Sequence, residues 1–194
     1  NIAAAQHGVM NTRQLLARGI GARRLRALSE RGVLEPLSPG VYRLVGSPET
    51  HLQRVLAAVL DAPPGAVASH QTAAALWNLP GYDLRDEAHV TIPRQGTTQR
   101  RRLSVVHYHK DMPLDEVVLR HGIPTTTPTL TMFHLCAVLH PSRAIRTFDH
   151  ATARRLTTGK RLARLTGRIG ARGRNGTRMS RQLGERHGDD PVPE

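Results

Sequence analysis

Three features of the sequence predict an α+β chain. The first fifty residues hold two short helical segments and then a Gly-bounded hairpin. From about residue 88 the apolar pattern takes on the two-residue period of strands. From Pro128 onward it returns to helical spacing. The expected architecture is an N-terminal winged helix-turn-helix, then a mixed domain with a small antiparallel sheet and C-terminal helices.

Taken in order, Ile2 to Gly8 reads as the last turns of a helix closed by Gly8. Thr12 to Gly19 reads as one helix with a glycine stop, and Ala22 to Gly32 as a second, with the break at Ile20-Gly21. Val33–Leu37, Ser38-Pro39-Gly40 and Val41–Val45 read as strand, turn and strand. Helix, tight turn, basic helix and β-hairpin is the order of a winged helix-turn-helix, whose second helix enters the major groove. In that helix Leu25 and Leu28 share a face, while Arg23, Arg24, Arg26 and Arg31 mostly project elsewhere.

Glu49 to Leu60 places Leu52, Val55, Leu56, Val59 and Leu60 on one helical face, and Pro63-Pro64-Gly65 ends it. Ser69 is the expected N-cap of a helix over Gln71–Leu79. Strands are expected at Ala88–Pro93, Leu103–Tyr108, Glu116–Leu119 and Gly122–Thr126. Helices follow at Pro128–Leu139, Ser142–Arg155, Gly159–Thr166 and Thr177–His187, with Ser142 and Thr158 as caps; residues 170–176 read as a loop. The expected division is 1–48 for the winged unit and 49–194 for an α+β partner-binding domain.

The 194 residues carry a formal net charge of +13, and the first fifty hold seven arginines against three glutamates. Such a balance favours a polyanionic partner. Only Lys110 and Lys160 are lysines, so the amino-acid bias of a GC-rich genome is a competing source of the charge. Between 141 and 188 there are thirteen Arg or Lys against Asp149 and Glu185. The single cysteine, Cys136, lies in an apolar helical run and reads as a buried, inert thiol in a reducing cytoplasm. No apolar run approaches ~18 residues, and no signal peptide is visible, so no membrane partner is expected. The sequence starts at Asn1 without methionine and ends Pro191-Val192-Pro193-Glu194, so both ends admit a cut in a longer protein.

The expected DNA-contacting residues are Arg13, Arg23, Arg24, Arg26 and Arg31, with Tyr42 and Arg43 after the hairpin turn. Their guanidinium groups suit phosphates or bidentate pairing with guanine; an ordinary solvated helix face is the alternative, and for Tyr42 hairpin core. Arg100, Arg101 and Arg102 form a secondary cationic patch for phosphate or an acidic protein surface, or else a solvated loop. No cofactor and no metal site are expected. His107 and His109 share a strand face, whereas His134 and His140 look scattered, and a zinc site needs three or four convergent ligands. His70 reads as a first-turn imidazole satisfying local backbone or DNA. There is no Walker loop, no G-x-S-x-G elbow and no nuclease-like pairing of acids with a base, so no catalytic residue is expected.

Several phrases resemble the AbiEi family of type IV antitoxins, especially its actinobacterial branch. Gln6-His7-Gly8-Val9, Arg13-Gln14-Leu15, Arg23-Arg24-Leu25-Arg26, Gly32-Val33-Leu34 and Gly40-Val41-Tyr42 look like its N-terminal module. Ser69-His70 through Ala73-Ala74-Ala75-Leu76-Trp77, His89–Arg94 and Gly122–Pro128 continue the match over nearly the whole chain. The resemblance implies a winged helix that binds operator DNA and represses its own operon, and a remainder that neutralises a nucleotidyltransferase-like toxin. Some relatives continue into a domain resembling the Vsr endonuclease, so the alternative is the DNA-recognition portion of such an enzyme, completed beyond Glu194. After Asp149 similar sequences often carry a second acid where this chain has His150, so no catalytic role carries over there.

Overall fold

A computed structural model of the chain describes residues 6–93 and 103–186. The N-terminal unit comprises β1 (Val9–Asn11), α1 (Thr12–Leu16), α2 (Ala22–Glu30), β2 (Leu34–Ser38) and β3 (Val41–Leu44). Its strands form an antiparallel sheet in the order β1-β3-β2. Asn11 caps α1 by accepting from the Gln14 backbone N–H at 3.0 Å, and the Gln14 side chain accepts from the Asn11 N–H in return, a reciprocal capping box. The hairpin turns at Pro39-Gly40, where a positive φ of 89° suits glycine. Met10, Leu15, Leu25 and Leu34 form a small core, against which Leu28, Tyr42 and Leu44 pack.

The remaining elements are α3 (His51–Asp61), β4 (Val67–Ala68), α4 (His70–Leu76), β5 (His89–Pro93), β6 (Val105–His109), a 3₁₀ turn (Leu114–Glu116), β7 (Val117–Arg120), β8 (Ile123–Thr126), α5 (Pro128–Leu135), α6 (Pro141–Ala153), α7 (Gly159–Ile169) and α8 (Thr177–Arg186). The second sheet runs β6-β5-β4-β8-β7. The α+β class holds, but this sheet is mixed where an antiparallel one was expected. β5 pairs with β6 in parallel and β4 with β8 in parallel, while β4–β5 and β7–β8 are antiparallel. The β4–β8 pairing escaped the sequence reading because β4 is a two-residue strand, too short to register in the apolar pattern. β4 occupies the middle of the sheet and separates runs that would otherwise pair as a meander.

One face of this sheet, through Ala68, Val90, Ile92 and Ile123, packs on Val55, Leu56, Ala58 and Val59 of α3. The helical side holds a larger core that includes Leu79, Leu130, Phe133, Phe148, Leu162 and Leu183. α5 is buried from Thr129 through Leu135, as expected of a helix enclosed by others. Thr158 caps α7 by accepting from the Arg161 N–H; at α6 the cap is His140, whose ring nitrogen accepts from the Ser142 N–H, in place of Ser142.

α3 joins the two sheets. Its Ala57 packs with Val9 of β1 and Val41 of β3, while the rest of its apolar residues face the larger sheet. Gln53, 3% exposed, directs its amide nitrogen at His7 O (2.7 Å), Pro48 O (3.1 Å) and Ser47 Oγ (3.2 Å). Gly8 makes this approach tight, since a Cβ there would lie 2.4 Å from Ser47 Cβ and Oγ. Gln53→Ala strips these buried acceptors of their donor and is expected to lower unfolding free energy by about 1–3 kcal/mol in urea denaturation; an unchanged midpoint would show that the amide is dispensable.

Candidate nucleic-acid interface and histidine cluster

In α2 only Leu25 is buried, so the helix is held to its core by one face and leaves the rest to solvent. Arg23, Arg24, Arg26 and Arg31 are all exposed, as is Arg13 of α1. Among the described residues Arg13, Arg23, Arg24 and Arg31 make no side-chain hydrogen bond or ion pair. Arg26 donates to Glu30 at 2.9 Å in an i,i+4 pair whose side chains are 83% and 63% exposed, a pair that water and salt weaken readily. The two residues expected to act from the wing sit differently. Tyr42 is half-buried against the Met10–Leu15–Leu25–Leu34 core. Arg43 donates to Glu35 at 3.0 Å and is also paired with Glu49, which leaves its side chain 17% exposed. Arg100, Arg101 and Arg102 lie outside the described residues.

The C-terminal arginines divide in the same way. Arg143 donates to Gly81 O, Arg154 to Trp77 O and Asn78 O, and Arg174 to Ile169 O; Arg168 pairs with Asp115 at 2.6 Å. These side chains tie loops to helices. Arg146, Arg155, Lys160, Arg161, Arg164, Arg172, Arg178 and Arg181 are exposed and make no such bond among the described residues.

The helical face of the larger sheet gathers five histidines. β5 and β6 pair with His89 opposite Val105, Thr91 opposite His107 and Pro93 opposite His109, and side chains at alternate positions share a face. His107 and His109 therefore share a face, as their spacing predicted, and His89 joins them. His70 at the start of α4 and His134 of α5 lie over them. The His70 ring stacks on His107, with centroids 3.6 Å apart, and on His134 at 4.7 Å. His89 Nδ1 lies 2.9 Å from His107 Nε2, and His109 Nδ1 lies 3.0 Å from His134 Nε2. The chain thus forms a relay of stacked and hydrogen-bonded imidazoles. His140 stands apart at the α6 cap.

Ser69 precedes α4 as expected but does not cap it with its side chain. Its hydroxyl receives a bond from Thr91 Oγ1 at 2.7 Å and lies 2.9 Å from His70 Nδ1, so it orients the central imidazole instead. His70 adopts a positive φ of 49°, an uncommon conformation for a residue with a side chain. Among the described residues no three His, Cys, Asp or Glu side chains are arranged to hold a metal ion.

Burial holds these rings neutral, and neighbouring imidazoles add to it at His70, His107 and His134. The pKa of His134 is pushed down to about 3, and that of His107 to about 4. His109 is lowered to about 4 by burial and by Arg174. His70 is lowered strongly by burial and by His134, and His89 is lowered by burial. Burial also raises the Cys136 thiol to about 12, which leaves it protonated. The described helices include none long and apolar enough to cross a membrane.

A winged unit with an outward, arginine-rich second helix, joined through α3 to a mixed sheet covered by helices, defines a DNA-binding regulator with a second, non-winged part. Residues 1–45 match the family described as transcriptional regulator, AbiEi antitoxin, and residues 66–185 match the AbiEi antitoxin C-terminal domain. The chain belongs to the AbiEi antitoxin family. No curated protein matches it.

The histidine cluster has a consequence for stability. Between the ordinary imidazole pKa of 6.5 and the lowered values near 4, the unfolded chain binds more protons than the folded one. Stability is thus fully present above about pH 6.5 and declines as the pH falls toward 4. Urea midpoints at pH 7.5, 6.0 and 5.0 are expected to fall in that order, and His107→Gln is expected to flatten the decline. A midpoint independent of pH would contradict the neutral, packed state of these rings.

Proposed function

We propose that this chain is the antitoxin of a type IV toxin–antitoxin pair, repressing its own operon and counteracting a nucleotidyltransferase-like toxin. The carrying observation is α2, whose one buried residue anchors it while Arg23, Arg24, Arg26 and Arg31 face solvent. In this reading α2 enters the major groove of double-stranded operator DNA and the β2–β3 hairpin lies along the flanking backbone. Arg23, Arg24 and Arg31 are the leading contacts. Arg26 becomes one when the groove displaces Glu30, and Arg13 reaches phosphate from α1. Tyr42 and Arg43 support the hairpin from within rather than touch DNA.

The division between the two functions falls near residue 48, between the two family matches at 1–45 and 66–185. The second part acts by binding rather than catalysis and works with its toxin in the cytoplasm. Its exposed basic residues on α7 and α8 supply either a second DNA contact or the surface for a protein partner. Two copies on an inverted repeat give the same extra specificity.

Arg24→Ala is expected to weaken binding to the operator by about 1–3 kcal/mol while leaving binding to unrelated DNA nearly unchanged. Arg101→Ala is expected to cost both duplexes a smaller, equal amount. Fluorescence anisotropy with both duplexes reads this directly, and equal losses from the two substitutions would assign the arginines to bulk charge.

A further inference from the structure

The larger sheet ends at β7, and among the described residues no strand pairs with its outer edge. His121 and Gly122 have φ of 52° and 75°, so β7 and β8 are joined by a two-residue turn of type I′. Such a turn is closed by hydrogen bonding between the residues that flank it, here Arg120 and Ile123. Bonding alternates from there along the antiparallel ladder, so Val118 and Glu116 also face β8; the Glu116 carbonyl accepts from the Thr127 N–H at 2.9 Å. Val117 and Leu119 therefore direct their backbone groups outward. Leu114 O takes the Val117 N–H in the 3₁₀ turn, which leaves the Val117 carbonyl and both groups of Leu119 for an added strand.

The side chains along this edge are apolar and uncovered: Leu114 is 76% exposed, Leu119 73% and Val118 37%. Their flanking charges are ordered to suit a second copy of the same strand. Asp115-Glu116-Val117-Val118-Leu119-Arg120-His121 runs from acidic to basic. Set antiparallel to itself about Val118, it places Leu119 opposite Val117 of the second copy and Arg120 opposite Glu116. The outward backbone groups fit this register, since each Leu119 N–H meets the Val117 carbonyl of the other copy, twice by symmetry. Moving the two-fold axis to Leu119 sets Arg120 against Val118 and loses the charge match. Within the chain Arg120 Nε donates to Leu76 O, Glu116 accepts from Thr127 Oγ1, and Asp115 pairs with Arg168. The charges across the edge thus set register more than strength.

We infer that the outer edge of β7 is a self-association surface, on which two copies of this chain pair β7 with β7, antiparallel about Val118. Seven residues a side fall well short of the roughly 20–30 of a stable interface, so the dimer is weak and forms in proportion to concentration. The tip of the same hairpin meets the winged unit, where His7 Nε2 lies 2.8 Å from His121 O. Two copies held on neighbouring half-sites gain effective concentration for this pairing. The inference stands on the strand edge alone, and its test contains no DNA.

Sedimentation equilibrium of the full chain, from micromolar to millimolar concentration, is expected to show a reversible monomer–dimer equilibrium. Leu119→Pro removes an outward N–H that the monomer does not use. It is expected to weaken the dimer by roughly tenfold or more with an unchanged circular dichroism spectrum. Disulfide trapping reads the register independently. Val118 and its copy form a non-hydrogen-bonded pair, whose Cα separation of about 4.5 Å suits a disulfide. Val118→Cys is therefore expected to cross-link under mild oxidation faster than Leu114→Cys, although Leu114 is the more exposed position. The native Cys136 is buried and does not compete. A chain that stays monomeric at every concentration would overturn the proposal and leave the edge to a strand of another protein. A dimer indifferent to Leu119→Pro would also overturn it, as would cross-linking no faster at position 118 than at 114. Fastest cross-linking by Leu119→Cys would do the same, because that register lacks the charge match.

Discussion

The structure depends on a helix buried on two sides. α3 packs Ala57 against the winged sheet, and Val55, Leu56, Ala58 and Val59 against the larger one. Its Gln53 amide binds the chain on either side of the wing, at His7 and at Ser47-Pro48. A three-stranded sheet carrying two short helices buries little apolar surface by itself, and small units of this kind are marginal alone. Shared burial in α3 supplies the missing partner. The outward presentation of α2 follows: with the sheet backed by α3, the helix needs only Leu25 and its neighbours to stay in place, and its arginines are not required for packing.

Arginine has two roles in this protein, and composition cannot separate them. Arg54, Arg143, Arg154 and Arg174 donate to backbone carbonyls, Arg43 and Arg168 are held by carboxylates, and Arg120 lies over Trp77. A planar guanidinium with five donors fits such sites as well as it fits phosphate. The charge available to a polyanion is therefore smaller than the net charge of +13 suggests. Among the described residues it resides mainly in α1, α2 and the outer faces of the C-terminal helices, which makes position rather than total charge the basis for recognition.

Much of the fold was legible because local chemistry marks its ends. Gly19, Pro63-Pro64 and Thr158 bound helices where they should, and the Pro39-Gly40 turn sets the hairpin. What escaped was non-local. β1 falls at Val9–Asn11, between two segments that the sequence marked, since three residues carry no periodicity. β4 is shorter still, and its parallel pairing with β8 escaped with it. Arg43 looked like a wing cation because Glu49 is six residues away and meets it only after the chain turns back. The histidine cluster drew on four separate segments; the i,i+2 spacing of His107 and His109 showed one shared face, but nothing local placed His70, His89 and His134 beside them.

The central claim is that α2 reads a particular DNA sequence rather than supplying charge. The most direct test compares binding of the chain to the DNA upstream of its own gene with binding to a shuffled duplex, across a salt series. A preference of ~10³ or more that persists as salt weakens both complexes is expected. Weak and equal binding to the two duplexes, falling together with salt, would contradict it.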